Sequence, residues 1–505
     1  MPPAPRDSLI ISPACAPRAA FGRAIRSRVP QMSFKGQVSD YEPITRPSAT
    51  AEWKRDDPVW PERAAAPVSA ETGEMLPESS VAPVAAPKPP LKRGHMLSFA
   101  GLFLFTVLLY FRPYELYPSL GWLSTIPFWL AAATILVFLP SQFALEGTLT
   151  MRPREVSLVL LFSALALLSI LFAIDRGLAW EMFSGIFLKV VVMFIVFVNV
   201  VRTERRLRLM LLLALAAGFV ISFSAINSYL AGNFNVEGYR VEGGIRLSGL
   251  FGSTNDMALF LVTLIPIAVA LFCRTRNVLG KAVYGGMILL MLAGTLVTYS
   301  RGGFLGLLGM ALVLAWKLGR RHRLAVVVSL VLCCGALLAL APENYSSRIA
   351  SITNSSGPRG EASATQRRAL LTKSISVALH NPVFGVGMAN FPIVSYRNLV
   401  THNAYTQVAS EMGLIALAVY LLIMLTPLKG LRKLERETLG QAHERRVYYL
   451  AVGLQAALVG YMVSSFFLSV AYGWTIYYLV GYAVCLRRLH ESRQGAEAGA
   501  PVTTG

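Results

Sequence analysis

The feature that most constrains this chain is a succession of apolar runs, each long enough to cross a bilayer. A spanning helix needs roughly 20 mainly apolar residues. Candidate spans lie at 96–111, 122–140, 156–174, 183–201, 209–230, 257–273, 284–299, 302–316, 324–341, 410–428, 448–469 and 472–486. The expected fold class is all-α: a polytopic integral membrane protein of about twelve transmembrane helices. Composition agrees, with 54% hydrophobic and only 15% charged residues. Soluble domains carry about a quarter charged residues.

The formal net charge of +20 would suggest a nucleic-acid partner in a soluble chain. Here the basic residues collect in short loops, and no nucleic-acid-binding motif accompanies them. With the N-terminus inside, the inner loops are MRPRE, RTERRLR, RTRNVLGK, KLGRRHR and KGLRKLERETLGQAHERR, all basic. The outer ones, RPYELYPSLG, DRGLAWE, SRGG and AYG, carry one basic residue or none. That alternation obeys the positive-inside rule. It places both termini inside and the loops at 231–255 and 342–409 outside.

Residues 1–95 are rich in Pro, Ala, Ser and charge, a composition that buries too little apolar surface to fold, so a disordered cytoplasmic tail is expected. The tail contains no apolar core of signal-peptide length, and no cleaved leader is expected. Residues 489–505 are expected to form a second disordered cytoplasmic tail. The five cysteines fall in the tail or in apolar runs, without metal-site spacing, and read as packing residues.

One long polar segment stands out between the spans. It runs from Arg367 and Arg368 through an amphipathic stretch with Leu371, Ile375 and Leu379 on one side. It continues through the turn NPVFGVG to Thr401-His402-Asn403 at the mouth of the next span. The 371–380 run is expected to lie on the outer membrane surface. Long loops of this kind more often carry function than not. Of six histidines, only His380 and His402 fall outside. Neutral imidazole, with a pKa near 6.5, can take a proton from a hydroxyl. An equally good reading of the same residues is a helix cap, with Thr401 or Asn403 capping and His402 merely exposed.

Arginines form the second group: Arg240 and Arg246 in one outer loop, Arg301 in TYSRGGFLG, and Arg367 with Arg368. Arginine cannot act as a base, but its planar fork suits phosphate oxygens. Arg301 lies close to hydrocarbon, where a charge is either functional or snorkels to the interface. The adjacent Gly302 and Gly303 would let backbone approach a ligand. Outer carboxylates are scattered, and no apolar span carries a mid-membrane Asp or Glu. Metal-dependent catalysis and proton-coupled transport are therefore disfavoured, and no cofactor is expected.

Three segments together resemble the O-antigen ligase/polymerase superfamily of bacterial inner-membrane proteins: RLSGLFGSTNDMALFL at 246–261, TYSRGGFLGLL at 298–308, and HNPVFGVGMANF followed by THNAYTQVASEMGLIAL. RPYELYPSL after the first span is similar to a subset of that family. The resemblance spans roughly 97–488 and implies an O-antigen ligase-like membrane domain over 96–488, GT-C-like, with a helical periplasmic loop at 342–409. It implies a metal-independent glycosyltransferase in the inner membrane, active at its periplasmic face. The donor would be a glycan on undecaprenyl diphosphate. The acceptor hydroxyl would belong to lipid A core, a growing polysaccharide or a protein. By motif match, His402 would activate the acceptor, and Arg246, Arg301 and Arg368 (or Arg367, one register away) would bind the diphosphate. Asn403 and Glu411 would support the site. A transporter of a small anion is the competing class.

Overall fold

The computed structural model describes residues 94–112, 118–232, 253–319 and 358–498. The predicted tail at 1–95 lies almost wholly outside the described residues, as do the span 324–341, most of the loop 231–255, and Arg240 and Arg246.

Among the described residues the chain is helical throughout. Helix α1 covers Met96–Phe111, and a 3₁₀ segment, Pro118–Thr125, leads into α2, Ile126–Glu146. Then come α3 Arg154–Leu171 and α4 Arg176–Met182, which passes through a π turn, Phe183–Phe187, into α5 Leu188–Val200. Next are α6 Glu204–Leu230, α7 Thr254–Arg274, α8 Val278–Val297 and α9 Arg301–Leu318. The rest comprises α10 Pro358–His380, the single turn α11 Phe391–Val394, α12 Ala404–Thr438, α13 Arg445–Ser464 and α14 Trp474–Ala498. Helices are what lipid demands, because no water is available there to satisfy the backbone.

Nine described helices are long and apolar enough to cross a membrane, and α1 is a shorter apolar one. With α14, whose apolar part runs into RRLHESRQ, eleven of the predicted spans coincide with helices. Helix α14 carries on to Ala498, so the tail expected as disordered over 489–505 is instead helical as far as that residue. The chain is an all-α polytopic membrane protein. Side-chain caps mark many helix starts: Asp175, Thr203, Ser253, Asn277, Ser300 and Asn403 each accept a backbone N–H of the first turn. Such caps satisfy donors that the helix itself leaves open.

Helix α14 runs through the core, with Ile476, Val480, Ala483, Val484 and Cys485 at 0% exposure. Its tyrosines pack against aromatic rings from other helices. Tyr477 meets Phe187 and Phe194, and Phe197 meets Tyr478 and Tyr482. Tyrosine suits this place because its ring fills space while its hydroxyl finds a carbonyl, as Tyr482 does at Met210 O.

The loops with basic sequences gather at one end of the bundle. Arg202, buried, reaches Glu146 at 2.7 Å and Gln142 at 3.0 Å. Arg487 meets both oxygens of Glu155 at 2.6 and 3.1 Å, while Arg493 pairs with Glu204 and Lys317 with Glu435. Burial lowers the pKa of Arg202, and Glu146 offsets this. At the same end His95 donates to or accepts from Ser141 Oγ at 2.8 Å. Burial first, then Arg202, lowers its pKa to about 4 and keeps the ring neutral. Removing one partner of such a buried pair costs about 3–5 kcal/mol. These contacts join chain segments read as inner loops to one another. Reporters fused before Met1 and after Gly505 are accordingly expected to give cytoplasmic signals in intact cells. A periplasmic signal from the C-terminal reporter would overturn the even number of crossings.

Candidate active site

The opposite end of the bundle is organised by a break in α12. Gly413 has φ 90° and ψ 173°, a conformation open in practice only to glycine. An unbroken helix would bond Leu414 N–H to Ser410 C=O. Instead Leu414 N–H donates to Pro382 O at 2.7 Å, and Ser410 O accepts Val386 N–H at 2.9 Å. Glu411 O likewise accepts Gly387 N–H at 2.8 Å. The NPVFGVG turn is thus laid along the broken helix by backbone hydrogen bonds. Glycine is required for that approach: a Cβ on Gly385 would lie 2.5 Å from Met412 N, and one on Gly413 would lie 2.5 Å from Val383 C.

The same turn grips the α3–α4 connection. Val386 O accepts Ile174 N–H at 3.1 Å. Asn390, fully buried, accepts Asp175 N–H at 2.6 Å and donates to Asp175 O at 3.1 Å. Phe384 stacks on Phe172 with ring centroids 4.2 Å apart. Leu370 and Val377 of α10 close over Val386 and Phe391 as a small separate core.

His402 sits just ahead of α12, with φ 52°. Its N–H donates to Ser469 Oγ at 2.9 Å, and Thr401 Oγ1 lies 2.9 Å from the same hydroxyl. Asn403 is the cap, its Oδ1 accepting from Tyr405 N and Thr406 N at 2.9 and 3.0 Å. The cap is therefore Asn403, and His402 is the residue before it. His402 is half-buried rather than merely exposed, and its left-handed backbone is held by its neighbours. Strained positions of this kind cluster at functional sites.

Further links tie the first turns of α12 to the α13–α14 connection. Gln407 Oε1 accepts Ala471 N–H at 3.4 Å, and Tyr472 Oη donates to Glu411 Oε2 at 2.8 Å. The Glu411 carboxylate also draws the backbone N–H groups of Ala389 and Phe391. Its partners thus come from the turn, the helix and the connection together.

The arginines differ in placement. Arg301 opens α9, half-buried, behind a Ser300 cap that accepts Gly303 N–H at 3.1 Å. Gly302 and Gly303 serve close helix packing here: added Cβ atoms would lie 2.8 Å from Phe467 Cβ and 2.6 Å from Ala258 Cβ. Phe467 is two residues from Ser469, so Arg301 belongs to the same end as His402. On α10, Arg367 is half-buried on the face shared with Leu370 and Ser374, while Arg368 is exposed. The stripe Leu371, Ile375 and Leu379 is not that packed face. Ile375 and Leu379 are exposed and Leu371 is half-buried, so the stripe points away from the turn.

A cavity of about 730 Å³ opens beside this end, between α1, α2, the π turn and α5, α7 and α14. Phe105, Leu109, Phe128, Ala131 and Ile135 are among its apolar lining. Its polar groups include Arg112, Lys189, Asp256, Gln407, Ser469 and Tyr472. Ser469 is the hydroxyl that holds His402, so the histidine turn lies one hydrogen bond from the cavity wall. Screening apolar runs for Asp and Glu passes over Lys189, whose signal is the single charge in FSGIFLKVVVMF. Gln407, Ser469 and Tyr472 have no local sequence signal, since packing alone brings them to the cavity.

No curated protein matches the chain. Residues 286–421 match the family model described as O-antigen ligase. The matched stretch runs from α8 through Arg301, Arg367, Arg368, His402 and Asn403 to just beyond Glu411; Arg246 lies before it. This is the stretch that builds the broken helix, its clamping turn and the histidine at its head, and over these residues the chain is similar to the O-antigen ligase family.

Proposed function

We propose that the protein transfers a glycan from undecaprenyl diphosphate to an acceptor hydroxyl at the periplasmic face of the inner membrane, without a metal. The observation that carries this reading is the Ser469 hydroxyl, shared between the His402 turn and the wall of the apolar cavity. A lipid-linked sugar needs both: apolar walls for its prenyl chain and a base where its head emerges. His402 takes the acceptor's proton, and the acceptor oxygen attacks the sugar's anomeric carbon. The bond from that carbon to the diphosphate breaks, and the diphosphate leaves on its lipid. Arg301, Arg367 or Arg368, and Arg246 meet its charge. Asn403 and Glu411 hold the turn and helix in place.

The test is the purified protein in liposomes with a lipid-linked glycan and an acceptor but no ion gradient. Product is expected, with EDTA present as without it. No product, together with movement of a small anion across the bilayer, would establish transport instead. Activity lost to EDTA and restored by Mg²⁺ or Mn²⁺ would overturn the metal-independent chemistry.

A further inference from the structure

Lys189 is a charge inside a membrane-crossing helix that the chemistry above leaves unused. It falls in the apolar run after the π turn, within the helical stretch Arg176–Val200. Its helical neighbours at i−4, i−3, i+3 and i+4 are Gly185, Ile186, Val192 and Met193, and all four line the cavity. Lys189 is thus central to the cavity-facing stripe. The opposite face, with Phe183, Phe187, Val190 and Phe194, is buried in protein. The π turn inserts one extra residue and so sets which side of α5 faces the cavity, and such turns are frequent at functional sites.

Among the described residues, no carboxylate or other hydrogen-bonding group is paired with the Lys189 ammonium. Asp256, the acidic group on the cavity lining, instead accepts from Ser253 Oγ at 3.0 Å. Lys189 is exposed on the protein surface, and an ammonium with no partner among the described residues is costly in an apolar membrane segment, where such residues mark substrate paths. Side chains on a helix lean toward its N-terminus, here the end nearer Asp175 and the His402 site. A ligand that would satisfy Lys189 needs an anion attached directly to a long apolar tail. A soluble phosphate has no reason to enter those walls.

Resting on the reading above, we propose that Lys189 is a donor-binding residue that pairs with the lipid-proximal phosphate of the polyprenyl diphosphate. It thereby holds the donor at the depth where its sugar reaches His402. The arginines at the mouth then face the phosphate next to the sugar, whose charge grows as the bond breaks.

The experiment measures binding of undecaprenyl diphosphate, undecaprenol and phosphatidylglycerol to the detergent-solubilised full chain, and donor KM and kcat in liposomes. Lys189→Met is expected to weaken undecaprenyl diphosphate binding at least about tenfold and raise donor KM in proportion, with undecaprenol binding unchanged. Lys189→Arg, which keeps the charge, is expected to retain most of the binding and shows that the position tolerates change. Unchanged diphosphate binding by Lys189→Met would overturn the proposal. So would an equal loss of phosphatidylglycerol binding, which would make Lys189 a general lipid contact. A wild-type chain that makes no glycan product would sink the transferase reading itself. Product formed by the wild type and equally by Lys189→Met would sink only the role of Lys189.

Discussion

Alanine at His402 is expected to lower glycan transfer by about 10²–10⁴-fold, the usual contribution of a positioned general base, while lipid-linked donor binding persists. The structure makes the test sharper than a single alanine. His402 has φ 52°, a backbone conformation that asparagine and glycine accept readily. If the residue served only to turn the chain into the Asn403 cap, His402→Asn and His402→Gly would keep full turnover. If its imidazole takes the proton, both should fall as far as His402→Ala. Arg397 is the control, because it is exposed, stacks on Tyr396 at 5.4 Å and shares the left-handed backbone. Arg397→Asn should transfer glycan normally. Turnover is to be compared at equal protein level in the membrane. Near-normal transfer by His402→Asn would place the base elsewhere.

Alanine at Gly413 is expected to do its damage through structure, sharply lowering the amount of folded protein. Backbone strain at φ 90°, ψ 173° costs about 1–3 kcal/mol for a residue with a Cβ. The added carbon would also lie 2.5 Å from Val383 C and 2.8 Å from Pro382 O, both backbone atoms that cannot swing aside. Relieving the clash means letting go of the turn, and with it the bonds from Val386, Gly387 and Leu414. The variant should melt at lower temperature and be cut by protease within 381–400, where the wild type resists. Gly286→Ala, with nothing within 4 Å of the added carbon, should behave as wild type. A Gly413→Ala protein as stable and as protected as wild type would mean that the break in α12 is not needed.

Much of this architecture is legible in the sequence because its signals are local. An apolar run declares a spanning helix through its own length, and an asparagine before such a run declares a cap through bonds two and three residues away. Thr401-His402-Asn403 could be singled out on that basis, and the cap and the base appeared there as rival readings. The fold gives the cap to Asn403 and a left-handed, half-buried turn to His402, and the imidazole's role is what the substitutions above test. The Gly/Pro-broken turn was equally visible, but its partner was not. That Gly385 must clear Met412 depends on two segments meeting across 27 positions of sequence.

Other assignments belong to tertiary structure for the same reason. Gly302 and Gly303 read as room for a ligand, yet the atoms they admit are Phe467 and Ala258 of neighbouring helices. Leu371, Ile375 and Leu379 are a genuine stripe at helical spacing, but spacing cannot say which side is covered. The turn instead packs on Leu370 and Val377, and this puts Arg367 rather than Arg368 on the packed side. Lys189 is plain in the sequence as a lone charge, but its direction follows from the π turn and from the cavity between helices far apart in the chain. Periodicity along one helix determined that this chain crosses a membrane and where its polar loop lies. Only the packing of helices decided that Ser469, 67 positions away, holds the His402 turn, because such contacts depend on positions that no local pattern records.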